Sequence, residues 1–293
     1  MASNLKQLGS LITPTMLLIL IFCFFLALCQ PLINEFLRAS HKIPVTVPIL
    51  VKVEPEPVIE KKMEPALHPV VLPDFAAVRD VKEKKKQFFN YLKPTIQEEN
   101  TRLTDLRNQL LLLIDKITWQ QELSGAEQAQ IKRLVKKYRV SNNISQLQQV
   151  NELVKRIDKI PSALVLVQAA NESAWGTSRF ARVGLNFFGI WCYQKGCGMV
   201  PNARKVGANH EVAAFNSVAE AVQRYMYNIN SNKAYQVFRN IRTQLRQQDQ
   251  PLSPQVLATG LLAYSERGSA YVLEITQMIR QNQHYFQEDM AKG

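Results

Sequence analysis

The apolar positions of this chain follow three different rhythms. Residues 16–29 are continuously apolar, and nothing between 7 and 34 carries a charge. Residues 98–123 place Leu106, Leu110, Leu113, Ile114 and Ile117 at helical spacing. Residues 186–215 mix aromatic and β-branched side chains with Gly and Pro, which predicts a hairpin or small β-lobe. Ser124-Gly-Ala-Glu127 reads as a capping box opening a helix to Val140, and a further helix is predicted over 146–159. Between helices and lobe lies the most sharply bounded stretch, Ile160 to Gly176. The proline after Ile160 holds it extended, Pro161 presets the first helical φ, and an apolar run follows. A short helix over 177–183 then ends at Gly184. Ser217-Val-Ala-Glu220 starts a helix to about Asn230, Tyr235–Gln247 is helical, and Ser253-Pro254 opens a helix to Ala263. A turn at 264–268 leads to a last helix, 270–287.

These elements divide the chain into four parts. Residues 1–40 hold the apolar run, which reads as an uncleaved signal anchor or a cleaved signal peptide, since Ala27-Leu28-Cys29 is a poor cleavage site. Either places the remainder outside the cytoplasm, anchored to the inner membrane and facing the periplasm, or free in the periplasm. Prolines at 44, 48, 55, 57, 65, 69 and 73 make 41–73 an extended spacer with no core of its own. Residues 74–160 form a helical extension, with a basic segment at 75–92, and 161–293 the principal domain. The fold class expected is mainly α, with one small β-lobe.

The net charge of +12 suits an anionic polymer or surface. No nucleic-acid motif accompanies it, so nucleic acid is not expected as a partner. Cys23 and Cys29 sit in the apolar run as small hydrophobes. Cys192 and Cys197 form a C-x4-C pair, a disulfide loop in an exported protein or two thiols in the cytosol. The four histidines add no ligand pattern, so neither metal nor cofactor is expected.

Chemistry enters at Glu172, an acid near the end of the apolar run beside Ala169, Ala170, Ala174 and Trp175. Apolar surroundings disfavour the carboxylate, raise its pKa and keep a proton available for a leaving oxygen. The run Asn-Glu-Ser-Ala-Trp-Gly-Thr-Ser (171–178), followed by Arg-Phe-Ala (179–181) and Asn-Phe-Phe-Gly-Ile (186–190), resembles the signature of the glucosaminidase domain of glycoside hydrolase family 73. The resemblance runs from about Asp74 to the C-terminus, and the helical extension is similar to that of the Bax-type bacterial members. It implies a lysozyme-like fold, action on peptidoglycan glycan strands and Glu172 as the general acid. It implies further that Trp175, Asn186, Phe187, Tyr225, Tyr264 and Tyr271 bind substrate or shape its cleft. Trp175 has two other readings: the wall that raises the glutamate's pKa, or core.

A second carboxylate is harder to place. The lobe offers only Glu211, either a base or an ordinary strand residue; Glu220 belongs to a helix cap, and Glu266 sits by the Tyr264 turn. Retaining and inverting hydrolases differ in the spacing of two carboxyl groups, and assistance by the substrate's 2-acetamido oxygen is a recognised exception. A glycan-binding protein without turnover, a lytic transglycosylase and an amidase are the alternatives to cleavage of the β-1,4 bond between N-acetylglucosamine and N-acetylmuramic acid.

Overall fold

The computed structural model describes residues 64–286 except 203, 205, 206 and 208, together with 30 and 31. The apolar run 16–29 and the spacer before Glu64 lie outside the described residues. Among those described, no helix is long and apolar enough to cross a membrane.

Residues 62–293 form one compact unit. Its first and longest helix, α1 (Val81–Thr118), is capped by Asp80, whose carboxylate accepts from Glu83 N–H at 2.7 Å. It runs straight through Pro94, where the sequence suggested separate segments. Proline removes one backbone donor there, and the apolar stripe of Phe88, Phe89, Leu92, Ile96, Leu103, Leu110 and Leu113 buries on both sides of it. Helices α2 (Gly125–Lys137) and α3 (Gln146–Arg156) each begin in a complete capping box, at Ser124/Glu127 and Ser145/Gln148. Helix α4 (Ser162–Ser173) is apolar on almost every side and fills the centre, with Leu164 to Ala170 buried without a break.

The chain leaves α4 through three consecutive left-handed residues, Ala174, Trp175 and Gly176, with φ of 48°, 59° and 77°. Helix α5 (Arg179–Gly184) follows, and then three short strands: β1 (Trp191–Cys192), β2 (Gly198–Met199) and β3 (Glu211–Ala213). They pair antiparallel in the order β1-β3-β2, with Trp191 opposite Val212 and Gly198 opposite Ala213. Helices α6 (Val218–Ser231), α7 (Gln236–Gln247), α8 (Pro254–Ala258) and α9 (Ser269–Gln281), with 3-10 turns at Lys233–Tyr235, Thr259–Tyr264 and Gln283–Tyr285, complete the chain. The fold is mainly α with one small sheet, a lysozyme-like arrangement.

The extension and the principal domain share one core, running from Phe75 and Phe88 through α4 to Tyr271 and Phe286. A buried ionic knot joins them as well. Asp158, 2% exposed, lies 2.9 Å from Arg246, 3.6 Å from Arg107 of α1 and 3.9 Å from Arg242. Arg242 also donates to the carbonyls of Lys155, Arg156, Asp158 and Lys159 and to Asn230 Oδ1. Burial pushes the Asp158 carboxyl up, but the three guanidinium groups outweigh it and hold the group below the ordinary aspartate range.

The end of the proline-rich stretch is not free spacer. Glu64 pairs with Arg179, Leu67 N–H donates to Val183 O at 2.8 Å, and His68 Nε2 donates to Arg182 O at 2.9 Å. Residues 64–68 thus lie along α5, and Phe75 inserts its ring against Gly176.

Candidate active site

Gln168 and Glu172 are one turn apart on α4, so their side chains share a face. That face meets the turn after α5. Asn186, 1% exposed, ties this turn into a loop: its Nδ2 donates to Ile190 O and Ala213 O, both at 2.8 Å, and its Oδ1 accepts from Phe188 N–H and Ile190 N–H. The loop brings Gly189 against Glu172. A Cβ at position 189 would sit 3.5 Å from Glu172 Oε2, and the residue's φ of +64° favours glycine.

Glu172 faces a cleft of about 1100 Å³. Its lining includes Phe188, Gly189, Ile190 and the β-lobe residues Trp191, Cys192, Tyr193 and Gln194, together with Arg224, Asn228, Tyr235, Tyr264 and Glu266. Burial among these neighbours pushes the Glu172 carboxyl above the ordinary glutamate range, opposed by hydrogen bonds from Tyr271 and Asn171. Glu274 adds to the upward push, and Arg267 opposes it. A carboxyl that burial makes hold its proton more tightly than usual, and that faces open space, is suited to general acid catalysis.

A hydrogen-bonded row of side chains lies behind this group. The Tyr225 hydroxyl donates to Gln168 Oε1 at 2.5 Å, and Gln168 Nε2 donates to the Tyr271 oxygen at 2.9 Å. Each donor is fixed by the one before it, so the Tyr271 proton is left for Glu172. Burial raises the pKa of Tyr225, Tyr264 and Tyr271, so all three are protonated donors at neutral pH. Tyr264 stacks on Tyr271 at 5.4 Å and donates to Phe188 O at 2.7 Å, linking the late turn to the Asn186 loop.

Of the sequence candidates, Glu172 and Tyr264 line the cleft, and Tyr271 reaches Glu172 from behind. Several others lie elsewhere. Trp175 is not a cleft residue: the left-handed turn throws it against α1, where it meets Phe88 and Phe89 edge-on and lies under Lys85. Phe187 is fully buried against Phe88, and the Asn186 amide is taken up by its own loop and by Ala213 of β3. Tyr225 is core, stacked on Phe188 at 4.2 Å. Glu211 does not face Glu172 across the cleft; it accepts from Gly196 N–H at 3.0 Å and Gly198 N–H at 2.9 Å, and these bonds hold its carboxyl below the usual range. Gly196 belongs to the loop closed by the Cys192–Cys197 disulfide, and Gly198 follows it as the first residue of β2. Cys192, Cys197 and Glu211 are the single grouping of potential metal ligands among the described residues, and the disulfide occupies both sulfurs. Glu220 accepts from Asn216 N–H at its helix start. Glu266 is the carboxylate that shares the cleft with Glu172.

Sequence reasoning missed two kinds of residue. Gln168 was visible as the one polar side chain in the apolar run 163–170, four positions before the acid. Trp191 and Tyr193, 51% and 75% exposed, are the exposed aromatics of the cleft. Trp191 stacks on His210 at 4.3 Å, a partner that only strand pairing brings close.

A mainly helical domain with an acid at a helix end and a small β-lobe across a cleft is the architecture of glycan-cleaving hydrolases. Residues 147–284 match the glucosaminidase family, described as mannosyl-glycoprotein endo-beta-N-acetylglucosaminidase. The chain is 36% identical over 214 residues to Protein bax of Escherichia coli strain K12, covering 72% of this chain and 74% of that one. It belongs to the glucosaminidase family, whose activity is glycosidic and peptidoglycan-related. No solved structure matches the chain.

Proposed function

We propose that this protein hydrolyses the β-1,4 bond between N-acetylglucosamine and N-acetylmuramic acid in peptidoglycan, with Glu172 as the proton donor. The observation that carries the reading is the half-buried Glu172 carboxyl, pushed up by burial and open to the cleft. As the bond to the leaving oxygen breaks, Glu172 delivers its proton there, while Tyr271 steadies the carboxylate that forms. Trp191 and Tyr193 offer faces on which sugar rings stack. Water then attacks the oxocarbenium-like carbon, activated by Glu266 or preceded by attack of the substrate's own acetamido oxygen. We place the protein at the outer face of the inner membrane, held by its N-terminal apolar run or released from it; the disulfide suits an oxidising compartment.

Mass spectrometry of purified peptidoglycan digested by the protein tests this. New reducing-end N-acetylglucosamine is expected. Anhydro-muramic ends would make it a lytic transglycosylase, a reading favoured by the single deeply placed acid. Freed stem peptides would make it an amidase, and no product with retained wall binding a binding protein.

A further inference from the structure

The cleft is not electrically neutral along its length. Arg139, Arg224 and Arg267 line it. Arg267 pairs with Glu274 at 2.7 Å, but Arg139 and Arg224 form no ion pair with a carboxylate among the described residues. Both are held in place. Arg139 follows α2 in a left-handed conformation, φ +56°, directly after Tyr138, which is 1% exposed. That turn is anchored twice: Arg156 Nη1 donates to Tyr138 O at 3.0 Å, and the Tyr227 hydroxyl donates to Lys137 O at 2.5 Å. The Arg224 guanidinium lies 5.9 Å over the same Tyr227 ring, and Tyr138 packs edge-on to Tyr227 at 5.6 Å. One tyrosine of α6 therefore positions cations from two parts of the chain. Arg139 precedes residue 147, so half of this cluster comes from the helical extension, outside the segment matched to the family.

We propose that Arg139 and Arg224 form a carboxylate-binding site in the cleft, which selects glycan strands bearing anionic groups over neutral N-acetylglucosamine polymers. The inference rests on the reading that Glu172 lies where the glycan binds. Two exposed guanidinium groups with no acidic partner raise the local concentration of anions, and their planar forks match a carboxylate with two parallel hydrogen bonds. Asn228 and Asn232 line the same cleft and would add amide contacts. In peptidoglycan the carboxylate belongs either to the stem peptide or, where the peptide is absent, to the lactyl group of the muramic residue.

The test measures binding to the full-length Glu172→Gln protein, which removes turnover from the readout. Four tetrasaccharide probes are compared: peptide-bearing, peptide-stripped with free lactyl groups, peptide-bearing with every carboxylate amidated, and chitotetraose. A carboxylate-bearing probe is expected to bind about tenfold tighter than the amidated one and chitotetraose. Adding Arg139→Ala or Arg224→Ala should remove that difference while leaving chitotetraose binding and the melting temperature unchanged; Arg139→Lys should restore part of it. Whether stripped strands keep the advantage decides between lactyl and peptide carboxylates. Equal affinity for amidated and unmodified probes would overturn the proposal, as would equal losses on charged and neutral probes or no binding at all. A wild-type protein that cleaves nothing but retains carboxylate-dependent binding would sink the hydrolase reading and leave this one standing.

Discussion

At the scale of single residues, the account turns on what surrounds one carboxyl group. Tyr271 donates to Glu172 and so favours its ionised form. Tyr271→Phe removes that donor, so the Glu172 pKa should rise further. Because the protonated form is the working acid, activity is lost as pH rises through this pKa, and the alkaline limb of kcat/KM should move to higher pH. Gln168→Leu, which frees the Tyr271 proton to point elsewhere, should shift the limb in the same direction by a smaller amount. A limb that stays in place in both variants would show that the row of side chains behind Glu172 has no hold on it. The place of Glu172 in an apolar helical run was legible in the sequence because its cause is local, while its reading as the acid came from the family resemblance of 171–190. Glu211 stayed open between base and strand residue for the opposite reason. Its partners, Gly196 and Gly198, come near only once the 192–197 loop closes and β3 pairs with β2.

At the scale of elements, the sequence marks where helices start more clearly than where side chains point. The boxes at Ser124/Glu127 and Ser145/Gln148 place helix starts to the residue, since capping is chemistry within four positions. The direction of Trp175 depends instead on three left-handed residues, two of them not glycine, which no propensity predicts. Gly176→Ala tests that turn. A Cβ there would meet the Phe75 ring at 2.6 Å on a backbone of φ +77°, and a loss of roughly 1–3 kcal/mol is expected on thermal or urea unfolding. The disulfide is a separate case. Cys192→Ser with Cys197→Ser should cost about 2 kcal/mol for so short a loop. It should also raise KM by loosening Trp191 and Tyr193, the aromatic wall of the cleft. A KM unchanged under reducing conditions would show that the wall stands without the crosslink.

At the scale of the described molecule, the extension is structural tissue of the glucosaminidase-family domain rather than an appendage. Phe88 and Phe89 of α1 pack on Trp175, Arg107 reaches Asp158, and Phe75 closes over Gly176. Periodicity showed that α1 is a helix, but its depth of burial follows from contacts more than 50 residues away in sequence, which no local pattern carries. Asp158→Asn would leave Arg242 buried without its counter-charge and should cost about 3–5 kcal/mol. The same group gives the unfolding its acid dependence. Its native pKa is depressed, so its stabilisation is complete above the unfolded value of about 3.9 and is lost as pH falls through the native value. Stability in the wild type should therefore fall below about pH 4, and the Asp158→Asn protein should show a weaker fall over that range.

The most direct test of the central claim compares Glu172→Gln with the wild type on purified peptidoglycan, with melting temperatures measured alongside. Glutamine keeps the shape and cannot give up an acid proton. A fall in kcat/KM of about 10² to 10⁴, with KM and melting temperature little changed, is the predicted result. Cleavage retained within a few-fold would contradict the account and move the proton donor elsewhere in the cleft.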